Sequence, residues 1–149
     1  MKKILFTLLI AFNFFYTFAQ DTSTTSKEEK KEFSFIELDD TPIFPGCEDV
    51  DCRVRIDCFQ NKMAEHLIKN QRYPKQAARK KIQGRILVLF IINTKGEIEN
   101  IQTKGPEGCE LLEKESYRVV SLLPKMKPAI QNGKPVKVKY LQPFNFYLK

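Results

Sequence analysis

Four cysteines and a single histidine are the residues of this chain whose types lend themselves to chemistry. Cys47, Cys52, Cys58 and Cys109 form an even set, which in an oxidising compartment reads as two disulfides with three pairings open. Cys47 with Cys58 would staple the Pro45-Gly46 loop to the start of a helix, and Cys52 with Cys109 would then tie the first half of the chain to a second helix. Zinc is the competing chemistry, with His66 nearby. The Cys47-x4-Cys52-x5-Cys58 spacing lacks the tight Cys-x2-Cys turns of structural zinc sites, so no metal is expected. His66 stands beside Leu67 and Ile68, with no serine or cysteine nucleophile arranged around it by any motif, and is expected to be a partly buried helix residue. Phosphate-cradling glycine loops, paired-carboxylate motifs and dinucleotide fingerprints are missing from the sequence. Neither catalysis nor a cofactor is expected.

The elements that would position these residues are set by periodicity. Prolines on either side of Phe44 keep Pro42 to Gly46 out of any helix, and Phe33 to Leu38 before them can be extended. Asp57 and Gln60 resemble a capping box, after which Phe59, Met63 and Leu67 recur every fourth residue along a helix from Cys58 to Asn70. Tyr73-Pro74 stops it, and Pro74 to Lys81 adds a short helical turn. Ile82 to Ile92 is a strand rich in β-branched residues and apolar on both faces, so cover on both faces is expected. Asn93-Thr94-Lys95-Gly96 turns it back antiparallel into Glu97 to Lys104, where Ile98 and Ile101 break strict alternation and predict a bulge. Leu112, Ser116, Val119, Val120 and Leu123 share one side of a second helix that ends at Pro124. Asn132-Gly133 is a turn, and from Val136 to Leu148 the even positions are apolar, which predicts a last strand with one buried face. Pro143 assigns that strand to a sheet edge or bends it. The order α-β-β-α-β defines an α+β fold in two layers, two helices on a small antiparallel sheet, with no internal repeat.

The first 19 residues read as a secretory signal: Lys2 and Lys3 are the basic start, Ile4 to Phe18 the apolar stretch, and Thr17 and Ala19 the small residues before a cut at Gln20. The 16 residues from Ile4 to Ala19 fall short of a bilayer span of about 20 residues. Residues 20–32 have no apolar side chain and form a flexible leader. Residues 33–58 carry three of the cysteines, and residues 59–149 hold the predicted fold. Residues 20–70 carry 7 Lys or Arg against 12 Asp or Glu, whereas residues 71–149 carry 16 against 6. The basic half lacks the aromatic-interleaved motifs of nucleic-acid readers, so it reads as a solvated surface that partly faces the acidic half.

Tyr73-Pro74-Lys75-Gln76-Ala77-Ala78, Ile82-Gln83-Gly84-Arg85-Ile86, Asn93 to Ile98, Leu123-Pro124-Lys125-Met126-Lys127-Pro128, and Asn132-Gly133-Lys134-Pro135-Val136 onward to Phe146 keep the order and spacing of one family. On these five stretches, about 75 residues, the chain resembles the TonB C-terminal domain, with Met126 where that family usually has tryptophan. Phe44 to Glu48 with Cys58-Phe59 resembles the cysteine-bearing extension of Bacteroidetes members. The resemblance implies a periplasmic module that binds outer-membrane TonB-dependent receptors by strand addition and passes on force from an inner-membrane motor. Carried over by position, it places receptor contacts at Asn70, Gln71, Arg72, Tyr73 and Pro74. The edge strand falls on Val136, Lys137, Val138, Lys139 and Tyr140. The family tethers its domain by a long proline-rich linker, whereas Gln20 to Thr41 is 22 residues and reaches at most about 80 Å. The alternatives are a disulfide-stabilised, self-associating envelope module and a short-armed transducer anchored in the inner membrane.

Overall fold

A computed structural model of the chain describes residues 32–34 and 38–148. The expected signal (residues 1–19) and most of the expected leader lie outside these residues. Helix α1 (Arg55–Asn70) is preceded by a 3-10 turn (Cys52–Val54), and α2 (Lys75–Arg79) comes directly after Pro74. Strands β2 (Gly84–Ile92) and β3 (Ile98–Lys104) form the predicted hairpin, α3 (Glu110–Ser121) crosses back, and β5 (Lys134–Phe146) closes the sheet. Of the two three-residue strands, β4 (Ala129–Gln131) was not expected from the sequence, whereas β1 (Glu32–Ser34) overlaps the start of the segment Phe33 to Leu38 that was expected to be extended. Too short for any periodicity to show, both exist through pairing with β5.

The strand order is β1-β5-β2-β3, with β4 also paired to β5. β5 runs antiparallel to β2 in unbroken register from Ile92↔Val138 to Gly84↔Phe146, while β1 lies parallel to β5 at Lys137 to Lys139. The register between β2 and β3 shifts between Leu89 and Ile91, and Asn100 takes a left-handed φ of 53°, which is the bulge that the broken alternation predicts. Gly96 in the hairpin turn has φ 79°, and a Cβ there would lie 1.7 Å from the Met126 carbonyl oxygen. Met126 N–H donates to Gly96 C=O at 2.9 Å, so the turn seats the buried Met126 against the end of β2 and sets β4 in line beyond it.

One core lies between the helices and the sheet. Phe59 and Met63 of α1, Leu112, Val119 and Val120 of α3, and Ile86, Val88, Phe90 and Ile92 of β2 meet Phe144 and Phe146 there. The fold is therefore α+β in two layers. The other face of β2 carries no helix: Leu87 and Leu89 are half-buried and Leu141 beside them is 54% exposed. Ile91 on this same face is buried, so the cover expected on both faces of β2 is found at its Ile91 end but not along Leu87 and Leu89 among the described residues.

The start of α1 also differs from expectation. Asp57 lies inside the first turn, and Val54 at the N-cap makes no side-chain cap bond. The carboxylate that caps is Asp51, which accepts from Arg53 N–H one turn earlier at 2.9 Å. Cys47 and Cys58 are bridged, closing the loop to α1 as expected. A bridge across 11 positions stabilises by about 2–3 kcal/mol. The expected Cys52–Cys109 bridge is a correction: both thiols are free, because Cys52 is exposed on the 3-10 turn whereas Cys109 is buried at the start of α3. The Cys109 thiol is turned to Gln83 C=O at 3.7 Å.

Candidate functional site

Asn70 to Pro74 leaves α1 as an extended connection held from three directions. The Glu115 carboxylate on α3 accepts from Arg72 N–H at 2.9 Å and pairs with Arg118 at 2.6 Å, and Arg118 donates to Asn70 C=O at 2.8 Å. Burial alone would raise the Glu115 carboxyl, but the Arg118 guanidinium and the Arg72 N–H outweigh it and hold the group below the ordinary carboxylate range. The Tyr73 ring meets Phe146 edge-on at 5.8 Å and its hydroxyl donates to Ile82 C=O, so this side chain points inward. His66 Nε2 lies 3.0 Å from Val119 C=O, and its Nδ1 faces the Asn70 amide at 3.2 Å. A nitrogen facing a carbonyl carries the proton, so Nε2–H donates and Nδ1 accepts. The histidine joins α1 to α3, and no groups of three or more His, Cys, Asp or Glu able to hold a metal occur among the described residues.

Gln71, like Tyr73, reaches the last strand: its amide donates to Asn145 C=O on β5 at 3.2 Å. This bond identifies the side to which each backbone group of β5 points. In an unbroken strand, residues two apart direct N–H and C=O to the same side. Asn145, Leu141, Lys139 and Lys137 therefore turn theirs outward, as does the Pro143 carbonyl, while the even positions turn theirs to β2. Pro135 and Pro143 are both odd, so their missing donors fall on the outer side and cost no bond to β2.

The outer edge of β5 is divided. At Lys137 to Lys139 it is paired with β1, whereas Leu141 to Asn145 has no strand beside it among the described residues. Along this second stretch an open groove of about 470 Å³ runs between β5 and the end of α1, with Leu67, Ile68, Gln71, Pro143, Asn145 and Tyr147 in its lining. Ile68 is 83% and Tyr147 68% exposed, and both large apolar side chains line this groove.

Of the residues expected on the edge strand, Val138 is fully buried and Val136 half-buried opposite Ala129 of β4. Lys137 pairs with Glu99 on the open sheet face. Tyr140 packs between Phe59 and Phe90, at 5.2 and 5.5 Å, and burial raises its phenol above the ordinary value. Gln71 and the last strand are brought together, but at Asn145. Ile68, Leu141, Asn145 and Tyr147 were missed by sequence reasoning. An apolar residue off the Phe59-Met63-Leu67 stripe was the available signal for Ile68.

The family model described as the Gram-negative bacterial TonB protein C-terminal matches residues 69–148. A curated relative, "Protein TonB" of Pseudomonas putida, is 28% identical over 93 residues, covering 60% of this chain and 37% of that protein. The chain thus spans well under half the length of that relative. Among solved structures, a Helicobacter pylori TonB C-terminal domain is similar at 22% identity and a TM-score of 0.45, covering 68% of this chain and 87% of that one. A Pseudomonas aeruginosa TonB C-terminal domain is similar at 26% identity and a TM-score of 0.41, covering 53% and 79%. With the family model matched across 80 of its 149 residues, this chain belongs to the TonB C-terminal domain family.

Proposed function

We propose that this protein is a periplasmic, non-enzymatic binding module of TonB-dependent transport that takes an extended segment of an outer-membrane TonB-dependent receptor as an added strand on the outer edge of β5. The observation that carries the reading is the stretch from Leu141 to Asn145, with outward backbone groups beside an open groove of mixed polar and apolar lining. An added strand would accept from Leu141 and Asn145 N–H, donate to the carbonyls of Leu141, Pro143 and Asn145, and replace the Gln71 amide at the last of these. Alternate side chains of the guest would fall toward Leu67, Ile68 and Tyr147, where apolar residues gain most. The clamp of Glu115 and Arg118 holds Asn70 to Pro74 in place beside the edge, which spares a guest the cost of ordering that wall.

The test is titration of the isotope-labelled protein with synthetic peptides spanning the periplasmic N-terminal segments of such receptors. Chemical-shift changes at Gln71, Leu141 and Asn145, lost in Leu141→Pro, are the expected result. Peptides that bind elsewhere, or not at all, would sink the reading. A concentration-dependent dimer that protects the same edge would favour the self-associating module instead.

A further inference from the structure

The edge that the proposed function uses is continuous from Lys137 to Asn145, yet its first third is occupied by the chain itself. β1 lies parallel on β5 with Glu32 opposite Lys137, Phe33 opposite Val138 and Ser34 opposite Lys139. In a parallel ladder one residue bonds to the two that flank its opposite number. Since Lys137 and Lys139 turn their backbone groups outward, that residue is Phe33: its N–H is directed at Lys137 C=O and its C=O at Lys139 N–H. Glu32 and Ser34 direct theirs away from β5. Among the described residues of β1, Phe33 is therefore the one whose backbone groups are directed at β5.

Anchors just beyond β1 keep it near. Asp40 is fixed to Ile130 by backbone bonds in both directions, at 3.1 and 2.9 Å, and Ile43 to Lys127 in the same way. The Asp39 carboxylate accepts from Asn132 N–H at 2.6 Å. Only five residues separate Ser34 from Asp40, so once released β1 stays at an effective concentration on the order of millimolar beside the edge.

We propose that Glu32–Ser34 is a displaceable self-strand that competes with the partner for the outer edge of β5. This rests on the reading of that edge as the partner-binding surface. A guest long enough to use the odd positions from Lys137 onward must expel β1, whereas one confined to Leu141 to Asn145 need not. If β1 is docked about nine-tenths of the time, a long guest binds about tenfold more weakly than to the vacant edge.

The experiment uses the full chain and two single variants. Phe33→Pro deletes the one donor that β1 gives to β5, while Ser34→Pro alters a residue whose N–H points away and serves as the control. Hydrogen exchange at the Lys139 amide should be slow in the unaltered chain and in Ser34→Pro, and at least about tenfold faster in Phe33→Pro. The probe for a vacant edge is a labelled peptide with the chain's own sequence from Lys30 to Leu38, added in trans. It should bind Phe33→Pro about tenfold or more tightly than the unaltered chain. Equal Lys139 exchange in all three proteins, or equal binding of the trans peptide to all three, overturns the proposal. Unchanged exchange at Val88 and Phe90 shows that the proline variants remain folded. Because the probe is the self-strand, failure of receptor peptides to bind would overturn the proposed function without altering this outcome.

Discussion

Glu115 does more to shape the Asn70–Pro74 connection than any side chain within it. Its carboxylate, 11% exposed, holds Arg72 N–H directly and Asn70 C=O through Arg118. Hydrogen bonds to a charged group are each worth about 1.5–3 kcal/mol, and part of that is recovered by solvent here. Glu115→Gln is expected to lower stability by about 1–2 kcal/mol at pH 7. The pH dependence has a definite sign. A carboxyl whose folded pKa lies below its unfolded value contributes fully above the unfolded value, about 4.3, and loses that contribution as pH falls through the folded one. The gap between the unaltered chain and Glu115→Gln, read from urea midpoints, should therefore be constant from pH 7 to about 5 and shrink below about 4. A gap that persists at pH 2 would reject the charge as its cause. None of this was legible in the sequence: Asn70 to Pro74 was singled out by resemblance, but its clamp lies 43 positions away from Arg72 and no local pattern joins the two.

Among the elements, those whose side chains repeat at a fixed period were legible. The stripe Phe59-Met63-Leu67 gave α1, and the even apolar positions gave β5 together with its buried face. β4 has no period of its own, the extended reading of Phe33 to Leu38 could not say which strand β1 would join, and whether a cysteine pairs depends on which elements meet, so these pairings and the Cys52–Cys109 assignment were beyond local pattern. The side to which each backbone group of β5 points was equally hidden, although Pro143 hinted at it. That alternation separates two substitutions of the same kind on one strand. Val138 turns its N–H to β2 and its side chain into the core, so Val138→Pro should cost about 3 kcal/mol or more and broaden or abolish the thermal transition. Leu141 turns its N–H outward and its side chain to solvent, so Leu141→Pro should cost about 1 kcal/mol or less while removing a donor from the candidate site. Equal losses in the two melts would mean that the outward parity is assigned to the wrong residues.

Across the whole molecule, the acidic and basic portions of the chain meet where the extension joins the domain. Asp40 pairs with Arg55, which belongs to the same acidic portion, and Asp39 accepts from a backbone N–H of the β4–β5 turn, so neither contact draws on the basic side chains of residues 71–149. The layers are less symmetric than the sequence of β2 suggests. Its apolar residues occur on both faces, and composition alone could not tell that both helices would settle on one. α1 and α3 bond to each other through His66 and Val119 C=O, and this places them side by side over Ile86, Val88, Phe90 and Ile92. On the opposite face Ile91 is buried, but Leu87, Leu89 and Leu141 are left among lysine, glutamine and asparagine neighbours. Two adjacent residues of β2 therefore belong to different environments. Phe90, fully buried against Tyr140, should cost about 3–5 kcal/mol on replacement by alanine, since both transfer and cavity terms apply. Leu89, partly exposed beside Leu141, loses only part of its transfer term and leaves no closed cavity, so Leu89→Ala should cost about 1 kcal/mol. Urea unfolding of the two variants measures the difference. If Leu89→Ala proved as costly as Phe90→Ala, the second face would have to be covered in solution, and the two-layer description would fail.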